Sequence, residues 1–169
     1  GTENNPVAYV DWCDARAYCA WAGKRLCGKI GGGANLYADY ADATKSEWYN
    51  ACSAGGMNTY PYGDTYMGMA CVGSDYDGTA GQSGSDVAKA VGSATGCTGT
   101  ASPFDQLFDL SGNVWEWVDS CDGTTGSSDQ CRWRGGSFRG GTTYLPCGYG
   151  GGSDRDLQYV DLGLRCCGG

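Results

Sequence analysis

The sequence contains no histidine. That absence removes the commonest general base, every Ser-His or Cys-His nucleophile pair, and the imidazole ligands of the usual zinc and copper sites. Positive charge is scarce as well: 11 Lys and Arg stand against 19 Asp and Glu, for a net charge of −8, and only four of the 11 are lysines. Nucleic acid and anionic membrane surfaces require clustered positive charge, so neither is expected as a partner. No apolar run approaches the ~20 residues of a membrane-spanning helix, so no membrane span is expected. No signal-peptide pattern is present, which leaves Gly1 as a mature end or a boundary within a longer chain. No Cys-x-x-Cys pair occurs anywhere, which weighs against a cysteine-only metal cluster.

Glycine and cysteine are in excess. Gly supplies 31 of the 169 residues, about 18% against a usual ~7%. Many positions therefore serve turns and irregular loops, and a helix bundle is not expected. Eleven cysteines scattered among Gly, Ser, Asp and Thr read as a disulfide framework in an oxidising compartment. Their odd number leaves one thiol free or bonded to another chain. The length suits one domain, over 1–169, with a real hydrophobic core.

Along the chain, Trp12, Ala15, Tyr18, Cys19 and Ala22 recur at helical spacing, with Asp11 or Asp14 available as a cap and Gly23 as a stop. A second short helix is expected over Lys45 to Ala51, entered through Thr44. From Cys52 to Pro103 the composition is Gly, Ser, Thr, Asp and Ala. Without cross-links such a stretch does not offset its ordering entropy, so it reads as an ordered loop held by Cys71 and Cys97. Cys121 and Cys131 flank a short polar excursion that a local bridge would close. Apolar mass concentrates in 104–118. Beyond Cys131, the runs Arg132-Trp133-Arg134, Ser137-Phe138 and Leu162-Gly163-Leu164-Arg165 read as short strands between glycines.

Several fragments stand in a telling order: Asn5-Pro6-Val7, AYCAWAGKRLC (17–27), SEWYNAC (46–52), YPYG (60–63), LFDLSGNVWEWV (107–118), RGGSF (134–138) and LGLRC (162–166). The series resembles the formylglycine-generating enzyme (sulfatase-modifying factor) family from about residue 5 to 167. The resemblance implies an α+β, elaborated C-type-lectin-like fold, low in regular structure and disulfide-rich, with a small antiparallel sheet near the C-terminus. It also implies that the N-terminal part of the family domain, several dozen residues ahead of the NPV segment, is missing here.

The same resemblance implies a Ca²⁺ site in which Asp109 and Glu116 contribute side-chain oxygens and Gly112 and Val114 contribute carbonyls, a hard-oxygen set suited to that ion. The alternative is that Asp109 and Glu116 merely cap a turn and face water. A second family calcium site is expected within 70–90, around Asp75, Asp77 and Asp86, none of which aligns with a defined ligand position. Family enzymes oxidise a substrate cysteine with a copper-holding cysteine pair just after the RGGS motif. The matching positions here fall near Gly140 and Leu145, and Cys147 aligns with a structural half-cystine, so no copper is expected. Resemblance further pairs Cys19 with Cys166 and Cys52 with Cys147. Of Cys13, Cys27 and Cys167, two are expected to bond. Trp115 and Trp117 are either a stacking platform or core packing, and Arg165 is expected to pair with a buried acid.

The family's substrate groove corresponds here to 139–161, with Arg139, Thr142, Thr143, Tyr144, Tyr149, Ser153, Asp154, Arg155 and Tyr159 as candidate ligand-binding residues. Their Tyr, Ser, Gly and Arg composition is that of an adaptable binding surface; a solvated glycine-rich loop is the plain alternative. The leading expectation is therefore an extracellular or cell-surface, non-catalytic, calcium-stabilised domain that binds a protein or glycan. A structural subunit assembling with copies of itself is the alternative, although GTENNPV offers no obvious donor strand. A copper-dependent formylglycine-generating oxidase comes third. A classical calcium-sugar lectin lacks its EPN or QPD triplet here.

Overall fold

The computed structural model describes residues 4–168; residues 1–3 and 169, and with them the start of GTENNPV, lie outside the described residues. The first helix, α1 (Trp12–Trp21), is capped by Asp11, whose carboxylate accepts the Asp14 N–H at 2.8 Å. Trp12, Ala15 and Cys19 form its buried stripe, and Gly23, at φ +70°, takes the left-handed position past its end. A two-residue strand, β1 (Arg25–Leu26), follows. The second helix, α2 (Glu47–Cys52), starts later than the sequence suggests and is capped by Ser46, which accepts the Tyr49 N–H. Thr44 does not cap it, because its hydroxyl donates to Asp42 at 2.6 Å in a separate turn.

Four strands, β2 (Trp115–Cys121), β3 (Gln130–Arg134), β4 (Gly150–Asp154) and β5 (Leu162–Leu164), form one sheet in the order β4-β3-β2-β5. The expected antiparallel pairing holds for β2 with β3 and β3 with β4, but β5 runs parallel to β2. Residues 155–161 carry the chain from one sheet edge to the other, and bonds from Trp12 N to Arg155 O and from Tyr9 N to Tyr159 O guide that crossing. The run Ser137-Phe138 is not a strand either. Gly135 and Gly136, both at positive φ, turn the chain, and Phe138 packs beside the Cys71–Cys97 bridge. The last strand, β6 (Cys166–Cys167), pairs with β1.

A strand reading Gly-Gly-Gly-Ser-Asp is unexpected from propensity, since glycine is depleted in strands. The reason is what crosses it. A Cβ on Gly151 would collide with the Trp133 ring, and one on Gly152 would meet the Tyr37 hydroxyl. Glycine is the residue that lets β4 pair while large side chains lie across its face.

The core has two layers about the sheet. Trp117, with Trp12, Ala15, Cys19, Leu26 and Leu162, packs toward α1; Val118, with Trp48, Leu110 and Cys52, packs toward α2. A smaller cluster of Cys71, Val72, Ala94, Cys97 and Phe138 sits under the long polar loop. Five disulfides tie the pieces together: Cys19–Cys166, Cys27–Cys167, Cys52–Cys147, Cys71–Cys97 and Cys121–Cys131. Each contributes on the order of 2–4 kcal/mol by the chain-entropy account. Cys13, exposed on α1, is the free cysteine. Among the described residues no helix is long and apolar enough to cross a membrane.

Candidate functional site

The segment 109–116 is held by backbone geometry that few residues tolerate. Asp109 and Asn113 have positive φ (59° and 64°), as does Gly112 (80°). A Cβ at Gly112 would strike the Val72 carbonyl, so glycine is required there. Gly112 N donates to Gly135 O and Asn113 N to Val72 O, each at 2.7 Å, while the Asn113 amide bridges the backbone N–H and carbonyl of Lys89.

Both carboxylates are buried, Asp109 at 5% and Glu116 at 4% exposure, which excludes the reading in which they face water. Glu116 receives the Trp48 indole N–H at 2.7 Å and three bonds from Arg165 at 2.7–3.0 Å. Burial works against the Arg165 charge, but Glu116 outweighs it and holds the guanidinium above its ordinary pKa. Arg165 also donates to Phe108 O. Asp109 differs. Its Oδ2 accepts the Gly92 N–H at 2.7 Å, and its Oδ1 is buried without a partner. Burial pushes this carboxyl above the usual range, against the pull of the Gly92 bond and of Arg165.

These contacts test the calcium set. The orphaned Asp109 Oδ1 suits a hard cation. The carbonyls of Gly112 and Val114 also suit one, since they accept no hydrogen bond among the described residues. Glu116 is already committed to Arg165 and Trp48, so it brings charge to the site but no idle oxygen. Among the described residues no three His, Cys, Asp or Glu side chains converge as a metal cluster. Farther along, Asp75 accepts from Tyr66, Ser74 and Gly81 N, Asp77 from Thr79 N, Ser83 and Ser85, and Asp86 from Ser83. Those three carboxylates are spent on shaping their own loop.

The residues to which the resemblance points for a copper pair bring no two free thiols together. Gly140 packs against Tyr144 and Leu145, Leu145 is 1% exposed, and Cys147 is closed into its bridge with Cys52. No pair of free thiols exists among the described residues.

A continuous aromatic surface lies at the start of β2. Trp115 packs on Trp133 (4.4 Å between centroids), Tyr149 (5.8 Å) and Tyr144 (6.2 Å), and the two tyrosines meet edge to face at 5.1 Å. Tyr144 is 43% exposed. Burial, then the neighbouring Tyr144, push the Tyr149 hydroxyl upward, so it remains a neutral hydrogen-bonding group at physiological pH. Trp117, by contrast, is fully buried and donates to Val10 O. The pair of tryptophans thus divides, one to the surface cluster and one to the core.

Of the other candidate ligand residues, Thr142, Thr143 and Arg139 are exposed near Tyr144 in sequence, and Ser153 accepts the Trp133 indole N–H at 3.0 Å. Asp154 accepts from Gln130, and Tyr159 is exposed on the crossing segment. Arg155 does not join this surface. It is 8% exposed, lies 4.6 Å from the Trp12 ring and pairs with Asp129 at 3.4 Å. The sequence marks Trp133 only as part of a strand-like run; its place in this surface follows from the pairing of β3 with β2. Arg134, marked only as part of that run and of RGGSF, is fully buried, donates to Cys147 O and sits within 6 Å of the Tyr40, Trp48 and Tyr49 rings. Burial lowers its pKa to about 9, which leaves it charged at neutral pH, in an aromatic cage suited to a cation.

Fold and site define a disulfide-laced α+β domain of the C-type-lectin-like, formylglycine-generating-enzyme type. The chain belongs to the sulfatase-modifying factor family: the family model described as the sulfatase-modifying factor enzyme 1-like domain matches residues 1–168. It is 29% identical to a formylglycine-generating enzyme of Mus musculus over 96% of this chain and 44% of that protein. It is 33% identical to an inactive C-alpha-formylglycine-generating enzyme 2 of Bos taurus over 68% of this chain and 33% of that protein. The chain thus spans less than half the length of these relatives. Among solved structures, PvdO from Pseudomonas aeruginosa superposes with a TM-score of 0.65 at 20% identity, covering 95% of this chain and 60% of the other, a likeness of fold.

Proposed function

We propose that this chain is a secreted or surface-displayed, non-catalytic member of its family that uses the Trp115–Trp133–Tyr144–Tyr149 surface to bind a protein or glycan. The observation that carries this reading is that no two free thiols come together: Cys147 is sealed to Cys52, and Cys13 is the one free cysteine among the described residues. By the family resemblance the copper-holding positions fall near Gly140 and Leu145, and the aromatic surface, through Tyr144, lies beside them. A bovine relative described as inactive sets a precedent within the family for the fold without the chemistry. Five disulfides call for an oxidising compartment, which favours an extracellular or cell-surface location.

In this reading Ca²⁺ stabilises the 109–116 segment. Asp109 Oδ1 and the carbonyls of Gly112 and Val114 would hold the ion, with the Glu116 charge behind them. The ion supplies positive charge where a buried carboxylate oxygen otherwise has none. The chain's own residues do the rest: Asn113 and Gly112 lock the loop, and Arg165 balances Glu116.

Two assays test the proposal together. A cysteine-containing sulfatase-type peptide, incubated with the chain and copper, should give no hydrazide-trappable aldehyde. Aldehyde formation lost on Cys147→Ala would overturn the reading. The labelled chain applied to a glycan array and a cell-surface protein panel should give hits that Tyr144→Ala and Tyr149→Ala lose. An assembly of identical chains is the second reading, favoured by the open edge of β4. Light scattering separates it from the first, since the binding domain runs as a monomer.

A further inference from the structure

Four of the chain's 11 cations, Arg16, Lys24, Arg25 and Arg155, line a single cleft of about 790 Å³. In a chain of net charge −8 that concentration needs a physical reason. The cleft lies at the far end of β2 from the aromatic surface, bounded by the exposed face of α1, by β1 and by Asp119. Its open space comes from small side chains, Ala17 and Ala20 on the helix and Gly33 and Gly123 opposite.

The cations are unequally committed. Arg25 makes two 2.6 Å bonds to Glu47 and is neutralised there. Arg155 spends Nη2 on Gly123 O and Asp129, but its Nε is buried without a partner in a residue only 8% exposed. Neither Arg16 nor Lys24 has an ion pair among the described residues, although Arg16 lies 5.7 Å from the Trp12 ring. One carboxylate, Asp119, shares the wall, and its side chain accepts no hydrogen bond among the described residues. Asp119 is drawn on by Arg16, Arg25 and Arg155, so the exposed Arg16 and Lys24, with the unpartnered Nε of Arg155, still exceed what this one acid offsets. A buried donor with nothing to donate to marks where an acceptor belongs.

We propose that this cleft binds a small oxyanionic ligand, a carboxylate or a phosphate or sulfate ester, with Arg155 as the buried donor and Arg16 and Lys24 as the exposed ones. Its volume suits a small molecule, and the guanidinium fork matches such groups.

Cys13 lines the same cleft, is exposed, and is the one free cysteine among the described residues, so it reports on the site directly. The unreduced chain is treated with a dianionic aromatic disulfide reagent and with a neutral dithiodipyridine, each rate being referenced to free cysteine. The net charge of the chain would slow the dianion at an ordinary surface thiol. The cleft should instead favour it, by on the order of 10-fold. Citrate, inorganic phosphate or sulfate should protect Cys13 saturably, and the anion that protects best separates a carboxylate ligand from a phosphate or sulfate one. Arg16→Ala with Lys24→Ala, both at exposed positions, should lose the preference and the protection while the melting temperature holds. Should that variant fail to fold, calorimetric titration of the unmodified chain with the same three anions decides. A dianion no faster than the neutral reagent, protection that merely follows ionic strength, or no saturable heat would overturn the proposal.

Discussion

Replacing Glu116 by Gln removes one charge and one acceptor from a centre that uses both carboxylate oxygens. The amide keeps the shape, but its NH₂ must face either the Trp48 indole N–H or the Arg165 guanidinium, donor against donor. Breaking a buried ion pair costs about 3–5 kcal/mol. Glu116 is 4% exposed, while the Arg165 side chain is 28% exposed and is partly rehydrated when released, so the lower end, about 3 kcal/mol, applies here. For a domain of this size that corresponds to a fall in melting temperature of about 6–12 °C. Thermal unfolding followed by circular dichroism, in chelator so that no cation contributes, measures it. Arg165→Met and the double variant complete a cycle, in which the double variant should be less destabilised than the two single losses combined. A fall under about 2 °C for Glu116→Gln, or strict additivity, would refute the reasoning that this pair is what joins β2 to the segment after β5.

Asp109→Asn should change sign with conditions: in chelator at neutral pH it should be neutral or stabilising, because the buried Oδ1 has no partner and Asn accepts a positive φ. With calcium the unsubstituted chain should melt higher than the variant, and identical melts with and without calcium would remove the ion from the account. The pH profile in chelator follows from the raised carboxyls of Asp109 and Asp119, both pushed up first by burial. Stability contributed by their protonated forms is fully present below the ordinary value of 3.8 and is lost as pH rises through their folded values. Asp109→Asn should flatten the fall of melting temperature just above that value, and an unchanged slope counts against it. Alkylation under denaturing, non-reducing conditions should add one label per chain, at Cys13, or none with a covalent dimer; several labels would contradict the five bridges. Gly151→Val should cost about 1–3 kcal/mol and shift tryptophan fluorescence, since it displaces Trp133 and the Trp115 ring on it; a silent substitution would mean that β4 does not pack as described.

The sequence alone determined the features that are local or carried by motif order. The period of α1 and its Gly23 stop are read within one stretch of chain, because helix signals repeat over a few residues, while the choice of Asp11 over Asp14 as the cap came from the structure. The cysteine positions are legible in the same way, and the structure closes ten of the eleven into bridges and leaves Cys13 free. Residues 109–116 were recognisable too, but the unequal state of Asp109 and Glu116 was not. Only Trp48 and Arg165, brought in from distant segments, decide that one carboxylate is saturated and the other left short. Tertiary structure alone decided that three glycines make a strand, since the side chains that require them belong to β3 and to Tyr37. It decided that β5 runs parallel to β2, and that cations spread from Arg16 to Arg155 share one cleft. Periodicity reports the backbone's neighbours in sequence, whereas these outcomes depend on long-range pairing fixed by five disulfides and a shared core.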